Sequence, residues 1–145
     1  MKLSVTVQTP LEPTEDESKV ERALLKLFPS AHIERITKPD DAVALCARGN
    51  GLEFLSNLRN LIKQQRIRSA ARSILTRSLR AGTFQFYLNK QAAFMGRVSF
   101  CEAVGESPHG PIAIQLECED PQPVIDYLAF PPTSLNHELT QRPRQ

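Results

Sequence analysis

The chain has 145 residues, 41% hydrophobic and 23% charged, which is enough for one domain to bury a core without help from disulfides or metal. Its longest apolar run, Ala42 to Ala47, is far too short to span a membrane, and the alternating start MKLSVTVQT has no signal-peptide core. The net charge of +2 says little, but residues 54 to 101 hold nine Lys or Arg and no Asp or Glu, while the other nine basic residues share the rest of the chain with all sixteen acids. A charge distribution this polarised predicts a basic surface facing something anionic.

Leu3, Val5 and Val7 alternate with polar residues and predict a half-buried strand ending at Pro10 and Pro13. A helix follows, with Thr14 and Glu17 at capping-box spacing, Glu15 and Asp16 placed to suit the helix dipole, and an apolar stripe of Val20, Ala23, Leu24, Leu27 and Phe28 before Pro29. Residues 32 to 37 and 42 to 48 read as short strands divided by the turn KPDD. RGNG, at 48 to 51, supplies another turn, and Asn50 with Glu53 repeats the cap-and-acid spacing. From Leu52 to about Leu79 there is no Gly or Pro, and Gly82 sits where a glycine ends a helix. Phe54, Leu55, Leu58, Leu61 and Ile62 fall on one side of this helical region, and Ile67, Ala71 and Ile74 on nearly the opposite side. One straight helix cannot bury both stripes, so a bend or break is expected near Lys63 to Arg66.

Residues 83 to 88, 97 to 103 and 112 to 118 alternate like strands, the last two joined by a loop at ESPHGP. Asp120 and Pro121 predict the cap and first turn of a short helix carrying Val124, Ile125 and Leu128. The fold class expected is α+β, a two-layer sandwich of mainly antiparallel sheet with helices packed on one face. Residues 1–130 form the single domain, and 131–145, with little left to bury, form a disordered tail.

Catalytic chemistry finds little footing. His32, His109 and His137 are scattered, no Ser-His-Asp, paired-carboxylate or glycine-rich phosphate pattern surrounds them, and Cys46, Cys101 and Cys118 lack zinc-site spacing. The thiols read as buried groups in a reducing, cytoplasmic compartment, and no cofactor or enzymatic activity is expected. The basic helical region is more informative. Arg59, Lys63, Arg66, Arg68, Arg72, Arg77 and Arg80 follow one another with no acid after Glu53, whereas a merely solvated face interleaves opposite charges at i,i+4. Arginine suits bidentate phosphate contacts and stacking on exposed bases. An acidic protein partner would satisfy the same face. Arg68 and Arg72 lie opposite Arg59 and Arg66 on an unbroken wheel, so all can share a surface only if the helix bends.

The stretch FYLNKQAAFMGRVSF, residues 86 to 100, poses its own question. Strand alternation through Phe84, Phe86 and Leu88 would aim Lys90 into the apolar face, where a charge needs a partner. Asn89 to Gly96 is longer than a hairpin loop, and reads as an elaborated loop or bulged strand end holding Lys90 and Gln91 in place.

Together, VTVQTPLEPTEDESKVERALLKLFP, LRNLIKQQRIRSAARSIL and FYLNKQAAFMGRVSF resemble successive signature blocks of the archaeal uncharacterised protein family 0201, grouped with RNA-binding proteins, over about residues 3 to 130. The resemblance implies an α+β domain similar in fold to the ribosomal protein that binds the small ribosomal RNA of the large subunit. It also places Lys90 and Gln91 in the most specific signature run. The expected function is therefore non-catalytic binding of ribosomal or other structured RNA, alone or in an RNA-processing complex. The contacts would come from Arg59, Lys63, Arg66, Arg68 and Arg72, extended by Lys90, Gln91 and Arg97. No RNP-type aromatic pair, KH loop or zinc knuckle is visible, so recognition should rest on backbone and shape.

Overall fold

A computed structural model describes residues 2–103 and 110–130. The sequence alternation of the first segment becomes β1 (Leu3–Leu11), whose Leu3, Val5, Val7 and Thr9 are buried. The strand continues through Pro10, which lies opposite Ala44 and beyond the last register position with β6, so its missing N–H breaks no pairing there. Helix α1 (Glu17–Leu27) starts two residues later than the capping-box spacing predicts: Asp16 is the cap, accepting from the Ser18 N–H at 2.9 Å. Glu15 is thereby left for another task.

β2 (Glu34–Thr37) and β3 (Val43–Asn50) form a hairpin closed by Lys38 and Ala42. A turn of 3₁₀ helix (Leu52–Leu55) follows, capped by Gly51 at φ 83°; the Asn50–Glu53 spacing makes no side-chain cap. The long helical region is indeed broken. α2 (Ser56–Gln65) ends at Arg66, in the left-handed conformation at φ 60°, ψ 43°, and Ile67 N–H returns to the Ile62 carbonyl in a Schellman-type close. α3 (Arg68–Ser78) then sets off in a new direction and buries Ala71 and Leu75, while α2 buries Leu58 and Ile62. Gly82 does not end this helix. At φ 80° it completes the tight turn between Arg80 and Thr83 that opens β4 (Thr83–Leu88).

The residues after β4 are neither loop nor bulge but a one-turn helix, α4 (Lys90–Phe94), capped by the Asn89 side chain on the Ala92 N–H at 2.9 Å. Only Phe100–Cys101 of the predicted 97–103 strand pairs, as β5. β6 (Ile112–Cys118) and α5 (Pro121–Leu128) complete the described chain, with Val124, Ile125 and Leu128 of α5 buried. The predicted loop at ESPHGP falls largely outside the described residues, as does the predicted tail.

The sheet is six-stranded and antiparallel throughout, in the order β2-β3-β1-β6-β4-β5. Register places Val5 beside Leu116 and Gly49, and Leu116 beside Phe84, so one face is continuously apolar and packs on the helices. The other face carries Thr6, Gln115 and Gln85 in one row and Gln8, Ala113 and Tyr87 in the next. The fold is thus the α+β, two-layer form expected. Cys46, Cys101 and Cys118 are in no disulfide; burial pushes the Cys46 and Cys118 thiols above their ordinary range. Among the described residues no helix is long and apolar enough to cross a membrane, and no group of three His, Cys, Asp or Glu could hold a metal ion.

Candidate nucleic-acid interface

The acid-free middle of the chain supplies the cations, but the fold sorts them into three settings. The first is buried. Lys90 opens α4 with its side chain fully inaccessible, as the apolar parity of Phe86 and Leu88 implies. Its ammonium donates to the Pro10 carbonyl at 2.6 Å and to both carboxylate oxygens of Glu15, at 3.1 and 3.3 Å. Burial pushes the ammonium below the ordinary lysine value, against the opposing pull of the Glu15 carboxylate. Glu15 is itself 6% exposed and also accepts the Glu12 N–H at 2.9 Å. The expectation that Lys90 extends a surface patch is therefore corrected: its charge ties α4 to the end of β1 and the entry to α1. Gln91, the next residue, is exposed.

The second setting is a clamp on α5. That helix has no basic residue in its last turn, so its terminal carbonyls lack a local cation. Two arginines, Arg59 of α2 and Arg72 of α3, supply it. Arg59 Nε donates to the Tyr127 carbonyl at 2.9 Å, and Arg72 donates to the Ala129 carbonyl at 2.6 Å and to Asp126 at 2.9 Å. Two guanidiniums also meet Phe130, with Arg59 Cζ 5.1 Å and Arg68 Cζ 4.6 Å from its ring centroid. One Arg68 nitrogen is buried with no hydrogen-bond partner among the described residues, and the ring face of Phe130 is what its guanidinium meets. The break at Arg66 does bring Arg59, Arg68 and Arg72 together, as the helical wheel requires, but what they converge on is protein. A cleft of about 430 Å³ beside the clamp, lined by Arg68, Ser69, Arg72, Ser73, Thr76, Arg77 and Phe130, is accordingly walled by engaged cations; Arg77 Nε donates to the Ser73 carbonyl.

The third setting is open. Lys63 and Arg66 at the end of α2, and Arg97 after α4, are exposed and have neither ion-pair nor hydrogen-bond partner for their charged groups among the described residues. Gln65 holds this elbow together: its amide donates to the Val98 carbonyl at 2.8 Å and accepts from the Val98 N–H at 2.7 Å. This double bond of side chain to backbone sets Arg66 and Arg97 on either side of a fixed junction. No residue type in the sequence marks Gln65 for that role, because its partner is a backbone more than thirty residues away.

On this antiparallel sheet and its layer of helices, a family model for RNA binding matches residues 4–118 of the chain. Among its relatives are a UPF0201 protein of Sulfurisphaera tokodaii, 35% identical over 96% of this chain and 94% of its own, and one of Methanothermobacter thermautotrophicus, 42% identical over 86% of this chain and 89% of its own. The chain belongs to this archaeal UPF0201 family. The crystal structure of the UPF0201 protein from Methanococcus jannaschii superposes with a TM-score of 0.77 at 31% identity, covering 87% of this chain and 98% of that one.

Proposed function

We propose that this protein binds structured RNA through the phosphate backbone, with Lys63, Arg66 and Arg97 as the charged contacts and Gln91 as an uncharged one, and that it does so without catalysis. The observation that carries the reading is the elbow itself: three exposed cations without counter-charge among the described residues, held at a hydrogen-bonded junction, in a chain of an RNA-binding family. Like charges gathered without acids lose energy to self-repulsion unless an anion meets them, and a phosphate strand does so with release of counterions. Arg59, Arg68 and Arg72, engaged at the end of α5, shape the surface beneath the contacts. Ribosomal RNA and other folded RNAs share the chemistry this surface reads.

The test is to replace Lys63, Arg66 and Arg97 together by Glu and follow binding of a stem–loop RNA across salt concentration. Each phosphate contact contributes about 0.7 to 0.9 to the log–log salt slope, so loss of three should lower it by roughly 2 to 3. Stability should change by less than about 0.5 kcal/mol per position, since none of the three side chains is buried or paired. An unaltered slope and affinity would show the elbow to be plain solvated surface. Binding of an acidic polypeptide in preference to RNA would make it a protein-docking face instead.

A further inference from the structure

Helix α1 carries its charges on two opposed flanks. Its buried stripe of Val20, Ala23, Leu24 and Leu27 faces the core. On one side stand Glu17 and Glu21, and Glu17 meets Arg35 of β2 at 2.7 Å. On the other stand Lys19, Arg22 and Lys26, at i, i+3 and i+7, so that they share one side of the helix. Arg22 and Lys26 form a like-charge i,i+4 pair, which destabilises a helix that would gain from an acid at either place. With Ala23 and Phe94, these three cations line a cleft of about 410 Å³ between α1 and α4, and no carboxylate stands among its lining residues. Lys26 is fixed there by donating to the Phe94 carbonyl at 2.6 Å. Lys19 and Arg22 are exposed, and their charged groups have no ion-pair or hydrogen-bond partner among the described residues.

The cleft also adjoins the elbow. Lys26 grips the segment after α4 at Phe94, and Gln65 grips it at Val98. Met95, Gly96 and Arg97 therefore bridge the two cationic surfaces, with Met95 75% exposed. Cations bordering an aromatic ring along a continuous path fit a nucleic-acid strand, whose phosphates and base faces need both.

Resting on the RNA reading above, we infer that the α1–α4 cleft is a second phosphate-binding site. The strand held at the elbow passes over Arg97 and Met95 onto α1, where Lys19 and Arg22 each contact a phosphate and Phe94 borders the sugar and base side. The site extends the bound RNA beyond the basic middle of the chain and onto a helix whose local sequence is acidic as well as basic.

The experiment uses the full chain and a stem–loop RNA with a single-stranded extension, between about 50 and 200 mM salt. Lys19→Gln with Arg22→Gln should weaken binding about tenfold and lower the log–log slope by roughly 1.4 to 1.8, two contacts' worth, while Glu21→Gln on the other flank should not weaken it. In the unmodified protein, RNA should protect the Lys19 amine from acetylation. Unchanged affinity and slope in the double variant, or an unprotected Lys19, would overturn the second site while leaving the elbow reading intact. Absence of salt-dependent RNA binding by the unmodified protein would remove both. Displacement of the RNA by polyglutamate at equal concentration of charge would assign the cleft to an acidic protein and overturn the inference as well.

Discussion

The elbow and the α5 clamp lie on neighbouring turns of the same helical region and are built from the same residue types, yet their cations do opposite things. At the clamp, Arg59 and Arg72 are held by carbonyl oxygens, and Arg59 and Arg68 flank the ring of Phe130. At the elbow, Lys63 and Arg66 meet no protein acceptor among the described residues. The difference lies in what the fold brings opposite each: the clamp faces a helix end with negative carbonyls and no basic residue of its own, and the elbow faces solvent. A run of basic residues without acids therefore marks an unmet demand for negative charge. Backbone carbonyls can meet part of it before any ligand does.

Perturbing internally engaged cations should change stability and spare RNA binding, and the largest effect belongs to the Lys90 pair. Glu15→Ala removes the carboxylate that meets a buried ammonium, and should cost about 3 to 5 kcal/mol in denaturant unfolding with the RNA salt slope unchanged. Lys90→Met alone should also destabilise, because Glu15 is then stranded, whereas Lys90→Met combined with Glu15→Gln should recover most of the loss. The sign of the pH effect follows from burial. With the folded-state value held below the ordinary 10.5, the unfolded chain binds more protons across the window between the two, so stability relative to the double variant should rise as pH climbs through it. A fall over that window would mean that the Glu15 carboxylate outweighs desolvation.

Next in size is Arg72→Ala. It removes a hydrogen bond to Ala129 and a half-exposed ion pair to Asp126, and should lower stability by about 1 to 3 kcal/mol without moving the salt slope. A lost phosphate contact in this variant would return Arg72 to the RNA surface and blur the distinction between clamp and elbow. The smallest effect splits the two readouts in opposite directions. Arg66 adopts φ 60°, a conformation that glycine takes without strain, so Arg66→Gly should stabilise by up to about 1 kcal/mol while reducing the salt slope by about 0.7 to 0.9. No other position is expected to trade stability against binding so directly.

Much of this was legible from periodicity. The stripes on either side of Lys63 to Arg66 demand a break, and the break is at Arg66; alternation through Phe86 and Leu88 aims Lys90 at the apolar face, where it lies, although it is expected from the sequence to extend the surface patch. Local signals failed where two residues competed for one role. Thr14 and Asp16 both suit a helix cap, and Asp16 takes it because Glu15 is drawn away to Lys90. Gly82 has the look of a helix stop but serves a turn that only the pairing of β4 requires. The clamp was not legible, because the need of α5 for cations is met from helices more than fifty residues earlier. The basic flank of α1 is legible only in part: Lys19, Arg22 and Lys26 have helical spacing in the sequence, but Glu17 and Glu21 lie among them and mask the one-sided charge until the helix sorts it.

The strand order has a consequence for how the protein comes to exist. β1, the earliest strand of this sheet in chain order, lies in its middle and needs β6, over a hundred residues later, as its second neighbour; the Thr9 hydroxyl donates to the Pro111 carbonyl across 102 positions of sequence. During synthesis the β1–β3 pairing and the helices can assemble, but one edge of β1 stays unpaired until nearly the whole domain has been made. Closure of so long a loop is slow to reward, which places the protein among chains whose folding rate is limited by topology more than by local propensity. The Gln65–Val98 hydrogen bonds span 33 positions, so the elbow reaches its fixed geometry only once the chain beyond α4 has been made. A nascent chain therefore carries Lys63 and Arg66 before it acquires the Val98 junction that positions them.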